Sequence, residues 1–138
     1  GPYGSVIPKI TEKIAHKENP TIFGDGLQSR DFIHVSDVAQ SILQLLNIRW
    51  NQTISPVFNI ATQQQTSLLD LIRIINTCCL QLGLIQEPLE PIFEKTRSGD
   101  IQHSVASIER IRSEIGWDPL MEIEQGIHQL IEQKWVKK

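Results

Sequence analysis

Most apolar residues of this chain recur at three- and four-residue spacing, and the runs that could form strands are too short to build a broad sheet. That pattern predicts helices packed around a few short strands. Ile7, Ile10 and Ile14 predict a first helix, with Pro8 at an early position that tolerates it and Asn19-Pro20 as its stop. Thr21-Ile22-Phe23 predicts a short strand, closed by the turn Gly24-Asp25-Gly26. Residues 32–35 predict a second strand. Ser36 is then a good N-cap for a helix whose apolar face is Val38, Ile42, Leu45 and Leu46. Residues 56–60 predict a buried strand. Ser67, with Asp70 three residues on, predicts a capped helix striped by Leu68, Leu71, Ile72, Ile75, Cys79 and Leu82, with Gly83 as its stop. Ile92-Phe93 reads as a strand, and Ser107 opens a short helix ending near Gly116. Asp118-Pro119 starts the last helix, with Ile123, Ile127, Leu130, Ile131 and Trp135 on one side. The expected fold class is α/β: one helix-rich domain over residues 1–138, with five helices and four short strands.

Partners are narrowed by charge. The 138 residues carry 13 Lys+Arg against 16 Asp+Glu, a net charge of −3, with no basic block beyond Lys137 and Lys138. Nucleic acid and anionic membrane are therefore not expected partners. No apolar run reaches the length of a membrane span. Cys78 and Cys79 are adjacent in an apolar helical stretch, where neighbouring side chains diverge by about 100°; they are expected to be core thiols of a reducing compartment. The start, Gly1-Pro2-Tyr3-Gly4-Ser5, has neither an initiator Met nor a signal-peptide pattern, so a cytoplasmic fragment is expected.

A catalytic constellation is hard to assemble from these residues. His16, His34, His103 and His128 are scattered, and no nucleophile or metal motif is present. Asp31 and Asp37 flank His34 in a pattern that suits turns and caps. Gly24-Asp25-Gly26 is not a dinucleotide fingerprint, because no GxGxxG leads into a helix. Arg30 and Arg97 stand out, since Arg offers parallel donors and keeps its charge. Two of them converging would suit a diphosphate; taken singly, each is also an ordinary surface residue.

The segment 21–38 reads TIFGDGLQSRDFIHVSDV. It resembles the GDGxxxRDFIHVxDVA signature of nucleotide-sugar epimerases and dehydratases in the extended short-chain dehydrogenase/reductase family. Further resemblances follow in order: Tyr3 to Lys9 as the loop into a first helix, Val57-Phe58-Asn59-Ile60, Arg97-Ser98-Gly99-Asp100-Ile101, and Ile115-Gly116-Trp117-Asp118-Pro119. The form of residues 97–104 is most similar to UDP-sugar 4-epimerases, with the 4,6-dehydratases a more distant alternative. The resemblance implies the substrate-binding C-terminal region of such an enzyme. It places Ser5, Val6 and Ile10 along the nucleotide and pyrophosphate, Thr21 and Phe23 at the base, Arg30 and Arg97 on the phosphates, and Asp100 on the ribose. It implies that Asn59 braces a loop and that Phe32 packs beneath Arg30.

Departures from the family pattern carry consequences. Ala61-Thr62-Gln63 replaces a GTG, so any position there that needs positive φ would cost about 1 kcal/mol. Tyr3 is not the family's catalytic tyrosine, because Ile7 stands where its lysine partner would be. The NAD turn and the Tyr-x-x-x-Lys pair are expected on a separate Rossmann half, a possible partner, with no cofactor held by this chain. No epimerase activity is then expected from the chain alone. A stand-alone nucleotide-sugar-binding module and an inactive remnant are the alternatives. Without that half, an apolar face is expected to be exposed.

Overall fold

The computed structural model describes residues 5–50 and 56–137. Its elements are α1 (Val6–Ala15), β1 (Thr21–Phe23), β2 (Ser29–Arg30), α2 (Val35–Leu46), β3 (Thr66–Ser67), α3 (Leu68–Gln81), β4 (Ile92–Glu94), α4 (Glu109–Ile115) and α5 (Ile123–Ile131). A π-helical turn, Glu132–Val136, follows α5. Among the described residues the strands form two separate pairs. β1 runs parallel to β4, with Thr21 opposite Ile92 and Phe23 opposite Glu94. β2 runs antiparallel to β3, with Ser29 opposite Ser67 and Arg30 opposite Thr66.

α3 is the hub. Leu71, Ile72, Ile75, Cys78 and Cys79 meet Ile10 and Ile14 of α1, Ile22 of β1, Ile85, and Ile127 and Ile131 of α5. Burying a side chain such as Ile75, which is fully enclosed, stabilises the fold by about 1.5–3 kcal/mol. The ends of α3 form as the sequence predicts. The Ser67 hydroxyl accepts the Asp70 N–H at 3.1 Å and donates to the Asp70 carboxylate at 2.8 Å. At the other end Gly83 takes φ +71°. The Leu84 and Gly83 N–H groups reach back to the Cys79 and Leu80 carbonyls at 2.9 and 3.1 Å, satisfying the last turn. A smaller cluster, Ala61, Ile108, Ile111 and Trp117, lies under α4.

Three expected boundaries move. Residues 32–35 are not a strand: His34, with φ −77° and ψ 143°, takes the N-cap, and its Nδ1 accepts the Ser36 N–H at 3.2 Å. The helix therefore starts at Val35 and not behind Ser36. The pairing falls instead on Ser29 and Arg30, just upstream. Residues 56–60 have no ladder partner among the described residues; Phe58 and Ile60 pack on the small cluster while Val57 is exposed. The last helix starts at Ile123 and not at Asp118-Pro119. The buried Asp37 carboxylate accepts the Leu120 and Met121 N–H groups, each at 3.0 Å, and ties that stretch to α2.

α2 is inside out. Its buried residues are Asp37 and Ser41. Val35, Ala39, Ile42, Leu43 and Leu46, spaced as one stripe of a helix, are all exposed. Among the described residues no other helix or strand packs substantially against it.

Both cysteines are free and buried. Burial pushes the Cys78 thiol up and the Cys79 thiol up to about 11. Thiol reagents at pH 8 are expected to modify neither residue in the folded chain and both in guanidinium, as mass spectrometry would read. The folded state also keeps protons that the unfolded chain gives up near 9.0. Stability should therefore fall as pH rises from about 9 to about 11. Rapid native-state labelling would place the thiols at the surface.

Candidate functional site

The β1–β4 pair organises the site. Gly24 donates its N–H to the Glu94 carbonyl at 2.9 Å, extending the pair into the turn. That turn requires glycine: a Cβ on Gly26, which has φ +79°, would meet Leu69 Cγ at 2.7 Å. The Leu69 N–H bonds the Gly26 carbonyl at 3.2 Å, and the chain leaves the turn directly into β2. Residues 102–104 then dock along β2. The Ser29 N–H donates to the Gln102 carbonyl at 2.7 Å, and the Ser104 N–H to the Ser29 carbonyl at 3.2 Å. The Ser29 hydroxyl and His103 Nδ1 are 2.9 Å apart. The loop carrying Arg97 and Asp100 is thereby held between β4 and β2.

These elements enclose a cavity of about 690 Å³. Its lining includes Val6, Lys9, Thr21, Phe23, Gln28, Arg30, Leu68, Arg97 and Asp100. Arg30 Nη2 lies 3.1 Å from Asp100 Oδ1, and Arg30 Nη1 donates to the Ser29 carbonyl at 2.8 Å. Both side chains of that ion pair remain partly exposed, at 29% and 27%. Gln28 Nε2 bridges the Phe23 carbonyl at 2.7 Å and Asp100 Oδ2 at 3.3 Å. The Arg97 guanidinium carbon sits 3.5 Å from the centre of the Phe23 ring, a cation–π contact. A larger hollow, about 750 Å³, shares Phe23 and Gln28, but its charged residues are Asp25, Glu94 and Lys95. That lining does not suit an anion.

Of the residues the sequence singles out, Val6, Thr21, Phe23, Arg30, Arg97 and Asp100 share this cavity. Two do not line it. Ile10 is 5% exposed and belongs to the main core, because the apolar period of α1 turns it toward α3. Ser5 is exposed at the N-cap of α1 and makes no side-chain cap bond. Phe32 packs on the main core and lines a groove with Met121 and Ile123 that Arg30 does not line. Tyr3 lies outside the described residues. Asn59 donates to the Ser107 carbonyl at 3.2 Å and braces the entry to α4. Gln63, in the altered GTG, does take φ +60°. The Asp31 carboxylate holds it there by accepting the Thr62 and Gln63 N–H groups at 3.0 and 2.8 Å. Lys9, Gln28 and Leu68 line the cavity without having been anticipated. Lys9 was legible, since it lies one turn from Val6 on the same helix face.

Among the described residues no cluster of three His, Cys, Asp or Glu could hold a metal ion. No helix of the described residues is long and apolar enough to cross a membrane. The Gly24-Asp25-Gly26 turn runs into β2 and not into a helix, so it does not offer the helix N-terminus that binds a dinucleotide pyrophosphate.

Known proteins resemble this chain in sequence and in fold. The sequence profile of the NAD dependent epimerase/dehydratase family matches residues 1–61. The putative UDP-glucose 4-epimerase of Methanocaldococcus jannaschii is 34% identical over 96% of this chain and 39% of its own length. The dTDP-L-rhamnose 4-epimerase of Burkholderia thailandensis is 29% identical over 97% of this chain and 34% of its own. Among solved structures, the UDP-glucose 4-epimerase of Thermotoga maritima with UDP-glucose superposes with a TM-score of 0.76 at 28% identity, covering 96% of this chain and 40% of that one. The UDP-N-acetylglucosamine 4-epimerase of Methanobrevibacter ruminantium, in complex with UDP-N-acetylmuramic acid, gives 0.75 at 27%, covering 96% and 39%. The chain is thus similar to NAD dependent epimerases and dehydratases, in sequence over residues 1–61 by the family profile and in fold over most of its length, with nucleotide-sugar 4-epimerases among the proteins it resembles. It spans 34–40% of the length of these proteins.

Proposed function

We propose that this chain is the substrate-binding, C-terminal part of a cytoplasmic, NAD-dependent UDP-sugar 4-epimerase, and that its cavity holds the nucleoside diphosphate of the sugar substrate. The observation that carries this reading is that Arg30 and Arg97, far apart in sequence, share one cavity with a carboxylate between two donors. Arg30 and Arg97 bind the phosphates. Asp100 accepts from the ribose hydroxyls, for which a carboxylate is suited. Thr21, Phe23 and Val6 line the nucleoside. Inversion at C4 uses hydride exchange with NAD, which in this reading is held by polypeptide beyond these residues. The role of this chain is to fix the diphosphate so that the sugar is presented there.

The same reading assigns a cover to α2. An apolar helical stripe, followed by the ladderless run 56–60, has the order of a crossover helix and the strand it delivers to a parallel sheet. The NAD-binding Rossmann half supplies that sheet, and the chain spans only about 40% of its relatives' length.

Calorimetric titration with UDP tests the reading. UDP is expected to bind, with inorganic phosphate weaker and dTDP reporting on selectivity for the base. Silence with every nucleotide at millimolar concentration would leave the chain a non-binding remnant. Binding without turnover when NAD and a separately expressed Rossmann half are added would favour a stand-alone module.

A further inference from the structure

We infer that Lys9 is a third phosphate-binding cation, completing a charge match between this cavity and a diphosphate diester; the inference rests on the nucleoside-diphosphate reading above. Rotation of α1 is fixed by burial. Ile10, Thr11 and Ile14 are enclosed, and the Thr11 hydroxyl donates back to the Ile7 carbonyl at 2.6 Å. That rotation leaves Lys9 exposed and, with Val6 one turn earlier, on the cavity wall.

The charges lining the cavity decide what Lys9 does. They are Lys9, Arg30 and Arg97 against Asp100. Arg30 is already engaged by Asp100 at 3.1 Å, so that pair contributes little net charge. Arg97 alone would then face the two negative charges of a diphosphate diester. With Lys9 the cavity carries two positive charges in excess, equal and opposite to the ligand. No carboxylate of the described residues lies within ion-pair distance of Lys9, whereas Lys13, one turn further along α1, is tied to Glu18 at 2.7 Å. The chain as a whole is at −3 and repels an anion, so binding has to come from local cations within a Debye length, about 10 Å at 0.1 M salt.

The test compares Lys9→Gln with Lys13→Gln, which removes the same charge from the same helix outside the cavity. UDP and uridine are titrated into each full chain, after thermal melts have shown that both are folded. Lys9→Gln is expected to weaken UDP about tenfold, to flatten its salt dependence, and to leave uridine unchanged. Lys13→Gln is expected to leave both ligands unchanged, and Lys9→Arg to retain most of the UDP affinity. Unmodified UDP affinity in Lys9→Gln, beside a parent chain that binds, overturns the role of Lys9 and leaves the cavity assignment standing. Equal weakening by both glutamine variants also overturns it, by showing an effect of overall charge. A parent chain that does not bind UDP overturns the assignment and this inference together.

Discussion

Replacing Arg30 with alanine should weaken UDP binding about a hundredfold, and replacing Arg97 about tenfold, since a hydrogen bond to a charged group is worth roughly 1.5–3 kcal/mol. The asymmetry comes from Asp100. Arg30 both donates to the ligand and neutralises that carboxylate at 3.1 Å. Its removal leaves Asp100 facing the diphosphate with only Gln28, at 3.3 Å, to hold it. Repulsion is then added to the lost donor. Arg97 stands over Phe23, so its loss exposes an aromatic face and no anion. The double variant Arg30→Ala/Asp100→Ala should recover part of the hundredfold loss, which makes the two residues non-additive. Asp100→Ala alone should weaken uridine while leaving inorganic pyrophosphate unchanged or tighter. Calorimetry with UDP, uridine and pyrophosphate on the four chains separates these outcomes. The fold itself should barely respond, because a partly exposed ion pair contributes at most about 1 kcal/mol after solvent screening. UDP affinity that is the same in Arg30→Ala and in the parent chain would remove the phosphate assignment.

Helix α3 was legible because its core face is, whereas the apolar period of α2 marks a helix whose stripe is exposed. The period of Leu71, Ile72, Ile75 and Cys79, with Ser67 and Gly83 at its ends, describes α3 almost to the residue. The β2–β3 pair was not, because it is made by Ser29, Arg30, Thr66 and Ser67. A two-residue ladder of polar side chains leaves no alternation to read, and backbone bonds carry its pairing. Residues 56–60 failed in the opposite sense: the apolar run is visible, but the described residues hold no strand for it to join. At the site, the meeting of Arg30 and Arg97 follows from the β1–β4 pair and the docking of 102–104 on β2, which no local spacing encodes. Only resemblance to a family suggested it. Ile10 shows the reverse hazard. Its place in the Ile7, Ile10, Ile14 period already put it on the core face, and assigning it to the ligand by resemblance overrode that signal. Lys9, its neighbour, was the residue the same periodicity turns toward the cavity.

On α2 the usual expectation about substitutions should invert. Leu43→Glu with Leu46→Glu places two charges on the apolar side of an amphipathic helix, a change that ordinarily unfolds a small protein. Here both leucines are exposed, at 61% and 75%, so the isolated chain should lose no more than about 0.5 kcal/mol per substitution, as for surface positions generally. Self-association should fall as the exposed stripe is broken. Asp37→Leu, which adds an apolar side chain to a buried position, should cost several times more. Asp37 is 2% exposed and its two carboxylate oxygens accept the Leu120 and Met121 N–H groups. Leaving each such buried donor without an acceptor costs about 1–3 kcal/mol. Thermal unfolding and sedimentation velocity read both changes in the chain alone. The second half of the prediction concerns the Rossmann-type cover proposed for this stripe. When that half is expressed separately and mixed with the chain, the parent should capture it and the double glutamate variant should not, although both are folded. If the two glutamates lower the melting temperature as much as Asp37→Leu does, the stripe is already packed within this chain, and α2 has no outer face for a partner to cover.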